Sequence, residues 1–214
     1  MQKLTPLQRS SLENQTERFH ANLEAAADYL VGRGITEETA DMARLGVVDE
    51  QLEEWPNLAT AGNYLSIPYI TRSGVVDLRY RCIRDHDCKA EGCGKYLTRT
   101  GQRSRIYGVE DLIDAGSAIC VTEGEMDRLI LRQLGYPTVG FPGSGTWKPH
   151  YRRLFEDFNR IVVFADGDNA GAGFATTWSG LFPRSVEIAQ MDEKEDVNSS
   201  FLLYGEDYFH DILA

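Results

Sequence analysis

Residues 117–135 read SAICVTEGEMDRLILRQLG and residues 160–171 read RIVVFADGDNAG, with YPTVGFPGSG (136–145) between them. In both outer segments a short apolar run, 118–121 and 161–164, ends abruptly in acid: Glu123 after the first, Asp166 and Asp168 after the second. Runs this short and this apolar read as strands buried on both faces of a sheet. Open α/β sheets bind their ligands where such strands deliver their C-terminal ends, just before a helix. Everything else in the chain reads as support for that edge.

Working outward, the chain alternates strand and helix. Strands are expected at 118–121, 138–141, 160–165 and 186–190, and helices at 125–134, 149–158, 170–182 and from Asp196 onward. Parallel neighbours require crossovers of this length, so the fold class is α/β, with a four-stranded, mainly parallel sheet flanked by helices. A composition shift at 111–116 marks a subdomain boundary, and a smaller α+β lobe precedes it.

In that lobe, apolar residues from Phe19 to Leu30 recur at helical spacing, which predicts a helix over 15–30 closed by Gly32 and Gly34. A second helix follows, with Thr36 as N-cap, Glu37 and Glu38 at the positive end of its dipole and Gly46 as stop signal. Past a loop containing Trp55 and Pro56, residues 63–70 and 74–83 read as a hairpin turning at 71–74. Strand alternation sets Arg79 and Arg81 on one face, Leu78, Tyr80 and Cys82 on the other. Lys95, Arg99, Arg103 and Arg105 follow near Tyr96 and Tyr107.

With 214 residues, 42% of them apolar, the chain can bury a sizeable core. It has no apolar run near membrane-span length and no signal-peptide pattern at its N-terminus, so no membrane partner and a cytoplasmic location are expected. The net charge of −11 argues at first against a nucleic-acid partner. Its distribution argues otherwise: from Arg72 to Arg105 nine basic residues face four acids, a local balance of +5 that leaves −16 for the remainder. A basic segment in an acidic protein suits a localised anionic ligand.

Asp166 and Asp168, two residues apart at a strand end, leave on the same side and can hold a divalent cation through hard oxygen ligands. Glu123 completes the cluster if its strand is adjacent. Asp127, one turn on, either joins it or answers the helix dipole; Asp196 either reaches the metal or caps the last helix. Cys82, His86, Cys88 and Cys93 form a compact set, but their spacing matches no standard finger or ribbon, so zinc is not expected. The Gly143-Ser144-Gly145 turn reads as a simple strand-to-helix connection.

The motifs VTEGEMD (121–127), VVFADGDNAG (162–171) and the looser EDVN (195–198) resemble those of the Toprim domain, the metal-binding module shared by bacterial-type primases, topoisomerases and several nucleases. The stretches 27–46, 65–83 and 95–112 resemble the lobe that precedes Toprim in bacterial and phage primases. The resemblance implies a tail and helix start over 1–20, a basic primase lobe over 21–115, the Toprim domain over 116–192 and a C-terminal helical segment over 193–214. It implies a primase core joining ribonucleoside triphosphates on a single-stranded DNA template. Glu123, Asp166 and Asp168 would be catalytic and hold magnesium or manganese, with Asp127 and Asp196 nearby. Arg33, Arg79, Arg81, Lys95, Arg103 and Arg105 would line the template or nucleotide groove.

Family primases also carry an N-terminal Cys/His zinc module, which the sequence lacks, so a zinc-binding initiation module and a replicative helicase are expected as partners in trans. A Toprim nuclease would use the same acids to cleave a phosphodiester. A non-catalytic module that covers single-stranded DNA or recruits a helicase would need no such acid cluster.

Overall fold

The structure, a computed structural model, describes residues 4–49, 52, 63–99, 101–102, 104–143 and 146–214. The loop around Trp55, Arg103 and the turn residues Ser144 and Gly145 lie outside them. The chain divides into two compact units, one of residues 1–32 with 36–103, the other of 33–35 with 104–214.

In the first unit, α1 (Pro6–His20) starts at a reciprocal cap: Gln8 N–H donates to Thr5 Oγ1 (3.2 Å) and Thr5 N–H to Gln8 Oε1 (2.9 Å). Pro6 costs no hydrogen bond in that first turn. The expected helix over 15–30 is therefore corrected: α1 ends at His20, a 3-10 turn spans Leu23–Ala26, and α2 covers Ala27–Gly32. Leu12 and Phe19 are the only large apolar residues α1 buries, too sparse a stripe for periodicity to find its start. α3 (Glu37–Met42) is capped by Thr36 as expected, Thr39 N–H donating to Thr36 Oγ1 at 3.2 Å.

Gly46 is no helix stop but opens β1 (Gly46–Val47), where a Cβ would come within 2.3 Å of the Phe19 carbonyl carbon. With β2 (Tyr64–Thr71), β3 (Gly74–Cys82) and β4 (Tyr96–Thr98) it forms an antiparallel sheet in order β1-β2-β3-β4. The hairpin turns with Thr71 opposite Gly74, as the sequence predicts. Leu12 and Phe19 of α1 pack with Tyr64, Leu78, Tyr80 and Leu97 of the sheet to make this unit's core.

In the second unit the elements run α4 (Asp111–Asp114), β5 (Ala118–Thr122), α5 (Glu125–Gln133), β6 (Thr138–Gly140), β7 (Arg160–Ala165), α6 (Asn169–Leu181), β8 (Val186–Gln190), α7 (Val197–Tyr204) and α8 (Glu206–Leu213). The four strands are parallel throughout, in order β6-β5-β7-β8. Two expected helices differ. The stretch 149–158 holds only a 3-10 segment, Pro149–Leu154, and the C-terminal segment breaks into α7 and α8 at Gly205, whose φ of 77° suits glycine. The core is aromatic, with Phe155 and Phe141 edge-on to Trp178 at 4.9 and 5.2 Å between ring centroids. Such pairs add about 0.5–1.5 kcal/mol each beyond their area burial. Among the described residues no helix is long and apolar enough to cross a membrane.

Candidate active site

The strand order sets the site. β5 and β7 are direct neighbours, Val121 opposite Val163, so the acids that follow them leave the sheet side by side. Glu123 Oε1 accepts the Asp166 backbone N–H at 3.0 Å. The adjacency on which Glu123 depended is thus present.

Two glycines of the DGDNAG stretch are demanded by close backbone approach. A Cβ on Gly167 would meet the Asp192 carbonyl oxygen at 1.7 Å, and one on Gly171 would meet the Asp166 carbonyl oxygen at 2.0 Å. The first vacancy lets the segment after β8 dock on the loop after β7. Gly167 N–H donates to the Glu195 carbonyl (2.7 Å) and Lys194 N–H to the Gly167 carbonyl (2.8 Å). That docking delivers Asp196 to the cluster. Asp196 also caps α7, accepting Ser199 N–H at 2.7 Å, while its charge acts on Asp166. Asp168 likewise caps α6 through Oδ1, which accepts Ala170 N–H (2.8 Å) and Gly171 N–H (2.9 Å).

Asp127 is buried in the first turn of α5 and accepts the Asn198 N–H at 3.0 Å. Its carboxylate folds back over Gly124, where a Cβ would lie 2.5 Å from Oδ2. Asn198, in the EDVN stretch, is the residue that motif reading passed over. Its side chain accepts from Arg33 Nη1 (3.1 Å) and donates to the Arg33 carbonyl (2.5 Å). Arg33 is thereby tied, through one asparagine, to Asp127. The only sequence signal was its place two residues after Asp196.

Electrostatics mark Asp166 as the centre. Burial, then the charges of Asp127, Glu123, Asp196 and Asp168, push its carboxyl up to about 8 from an ordinary 3.8. Burial and Asp168 raise Glu123 as well, against the Asp166 N–H that stabilises its charged form. Hard carboxylate oxygens gathered around Asp166 are a donor set for a hard divalent cation, and the residues present fit magnesium or manganese.

The back of α5 is pinned by a buried cation. Arg128 donates to Asp111 Oδ2 (2.9 Å), Glu110 Oε1 (3.3 Å) and the Thr138 carbonyl (3.0 Å), and lies over the Tyr107 ring. Breaking such a pair from one side costs about 3–5 kcal/mol.

The basic candidates are dispersed by comparison. Arg81 is a buried residue rather than a groove-lining one: it lies over the rings of Tyr29 and Tyr96 and donates to the Tyr96 hydroxyl. Arg79 is half-buried, over Tyr69, so the two guanidinium groups serve different aromatic partners. Lys95 is exposed, and Arg105 is half-buried close enough to Tyr151 to act on its hydroxyl. Arg103 lies outside the described residues. Cys82, His86, Cys88 and Cys93, whose spacing matches no standard zinc motif, nevertheless bring one potential ligand atom each to within 4.8 Å of one another. Spacing along the chain concealed this, because the fold of the β3–β4 loop, not the interval, sets the distances.

Residues 120–201 match the family described as Toprim-like. The chain is 37% identical over 148 residues to the Gene 57 protein of Mycobacterium phage D29, covering 67% of this chain and 93% of that protein. It is 30% identical over 196 residues to the DNA primase of Legionella pneumophila, covering 77% of this chain and 33% of the primase. The chain thus spans about a third of that enzyme's length. Among solved structures, a DnaG primase catalytic domain bound to single-stranded DNA superposes with a TM-score of 0.72 at 19% identity, over 94% of this chain and 78% of that one.

Proposed function

The chain belongs to the Toprim-domain DNA primase family, and on that premise we propose that it is the nucleotidyltransferase core that joins ribonucleotides on a single-stranded DNA template. The observation that carries this reading is Asp166 at the centre of five carboxylates, its own carboxyl pushed up to about 8 by burial and by the other four. Glu123, Asp166 and Asp168 would hold the catalytic cation, with Asp127 and Asp196 nearby. Magnesium or manganese, when bound, supplies a Lewis acid for the attacking 3′ oxygen and the leaving pyrophosphate.

The residues of the chain do the rest. Glu123 and Asp166 hold each other in register through the 3.0 Å backbone bond, which sets the separation of their free oxygens before any ligand arrives. Asn198 orients Arg33, whose guanidinium meets the triphosphate or template phosphate. Lys95 and Arg79 supply further phosphate contacts, with Arg103 and Arg105 following in the chain, and Arg81 acts as a positioning residue that holds Tyr96 in place for base stacking. The single-stranded DNA on the structural neighbour supports a DNA template here. A replicative helicase and an initiation module in trans complete the reaction in this reading.

The test is incorporation of labelled ribonucleotides on a short-primed single-stranded template with magnesium or manganese, comparing the wild type with Asp166→Ala plus Asp168→Ala. Extension by the wild type alone is expected. Template cleavage without incorporation would replace the reading with a nuclease. Template binding by both proteins with extension by neither would replace it with a non-catalytic module.

A further inference from the structure

The loop between β3 and β4, residues 83–95, is polar. Cys88 and Cys93 are the side chains it packs against the first unit's apolar core. Its base is closed where Cys82 N–H, at the end of β3, donates to the Lys95 carbonyl at 2.9 Å. Cys82 and Cys93 therefore stand near the two ends of the loop, with His86 and Cys88 on the stretch between. His86 Nε2 lies 2.8 Å from Cys93 Sγ and 3.9 Å from Cys82 Sγ. All four cysteines of the chain are unpaired thiols, so no disulfide orders the loop.

We propose that Cys82, His86, Cys88 and Cys93 bind one zinc ion that clips the β3–β4 loop closed, a structural metal site separate from the catalytic carboxylates. Zinc binds thiolate at about 2.3 Å and imidazole at about 2.0 Å, which makes tetrahedron edges of roughly 3.5–3.8 Å. The observed group, all within 4.8 Å, needs only small shifts to meet them, its longer separations closing and His86 Nε2 moving out from its 2.8 Å approach to Cys93 Sγ. Four protein ligands leave no position for water or substrate, the mark of a structural rather than a catalytic site. Three thiolates and an imidazole select a soft or borderline ion and reject magnesium, whereas carboxylates do the reverse.

A zinc ion with three thiolates leaves one net negative charge, and a counter-charge stands beside it. Arg84 Nη2 lies 3.3 Å from His86 Nε2, and Glu91 Oε2 holds the guanidinium at 3.0 Å. Neighbours of this kind orient metal ligands and tune them. The loop runs directly into Lys95 and Tyr96, and Tyr96 accepts the Arg81 hydrogen bond. The ion would thus set the basic strand of the first unit without touching the reaction.

The test uses the full chain, expressed with zinc in the medium, dialysed against a weak chelator and assayed by elemental mass spectrometry. About one zinc per chain is expected in the wild type and in Asp166→Ala plus Asp168→Ala, and less than about a tenth in Cys88→Ser plus Cys93→Ser. Cobalt exchange of the wild type should give thiolate-to-metal charge transfer and the intense visible bands of a tetrahedral centre. Because the serine variant could fail to fold, His86→Cys is measured beside it and should retain the metal. Wild-type chain without zinc, zinc that survives in the serine variant and leaves with the acids, or a thiol count showing a disulfide among the three cysteines would each overturn the proposal. None of these outcomes depends on nucleotide incorporation, so this inference and the proposed activity fail separately.

Discussion

The first unit gathers three thiols and an imidazole at the end of an antiparallel hairpin; the second gathers five carboxylates at the ends of parallel strands. Thiols and imidazole can hydrogen-bond one another, as His86 Nε2 and Cys93 Sγ do at 2.8 Å, so they can lie together before a metal arrives. Carboxylates repel, and four of the five here lean on a backbone N–H: Glu123 on Asp166, Asp127 on Asn198, Asp168 on Ala170 and Gly171, Asp196 on Ser199. Among the described residues, only the thiol-imidazole group draws three or more potential ligands so close. On the two proposals above, the first is a closed clasp that holds its ion and the second a centre at which substrate and ion meet. The difference also suits the two to different metals within one chain.

The strongest way to break this comparison is to remove the working centre. Asp166→Ala plus Asp168→Ala should lower ribonucleotide incorporation on the order of 10³-fold, since a lost Lewis acid forfeits several kcal/mol of transition-state stabilisation. Circular dichroism should show the fold retained, and cobalt spectra of the first unit should be unchanged. Next in size, Arg128→Ala removes the buried cation beneath α5 and leaves buried Asp111 with only the more exposed Arg132 as its ion-pair partner. It should destabilise the second unit by about 3–5 kcal/mol in urea titration and leave zinc content unaltered.

A subtler break is pH. Asp166 titrates near 8 in the folded chain against 3.8 for an ordinary aspartate, so between those values the folded chain carries a proton that the unfolded chain lacks. Stability of the metal-free protein should therefore fall as pH rises from about 4 to 8. Magnesium should raise Tm more at pH 8 than at pH 6, where it competes with that proton; Asp166→Asn should flatten the pH dependence. Scanning calorimetry with and without magnesium checks all three.

The smallest effect sharpens the double use of Asp196. Asp196→Ala loses the cap of α7 at a cost of about 1 kcal/mol, whereas Asp196→Asn keeps the cap and loses the charge. If Asp196 flanks the cation, the two variants should show equally weakened magnesium dependence of incorporation, while only the alanine variant lowers Tm.

Local chemistry was enough to mark much of this. Apolar runs of four to six residues, each ending in acid and followed by a helical pattern, declared β5 and β7 and put Glu123, Asp166 and Asp168 at their ends. Thr36 was visible as a cap because capping is a contact across three residues. The start of α1 escaped notice because its buried face is sparse, and Arg81 looked like a groove residue because alternation cannot tell that it lies over the rings of Tyr29 and Tyr96.

What the sequence by itself determined was therefore the inventory: the parallel strands, the acids that leave them, the hairpin and the basic stretch. Only the tertiary structure decided the company each residue keeps. It made β5 and β7 neighbours, docked the 192–195 segment on Gly167, joined Arg33 to Asp127 through Asn198 and folded a non-standard Cys/His interval into a four-ligand group. The physical reason is one of range. Strand and helix periods and caps are settled within a few residues, whereas which strand lies beside which follows from burying both faces of the whole sheet at once.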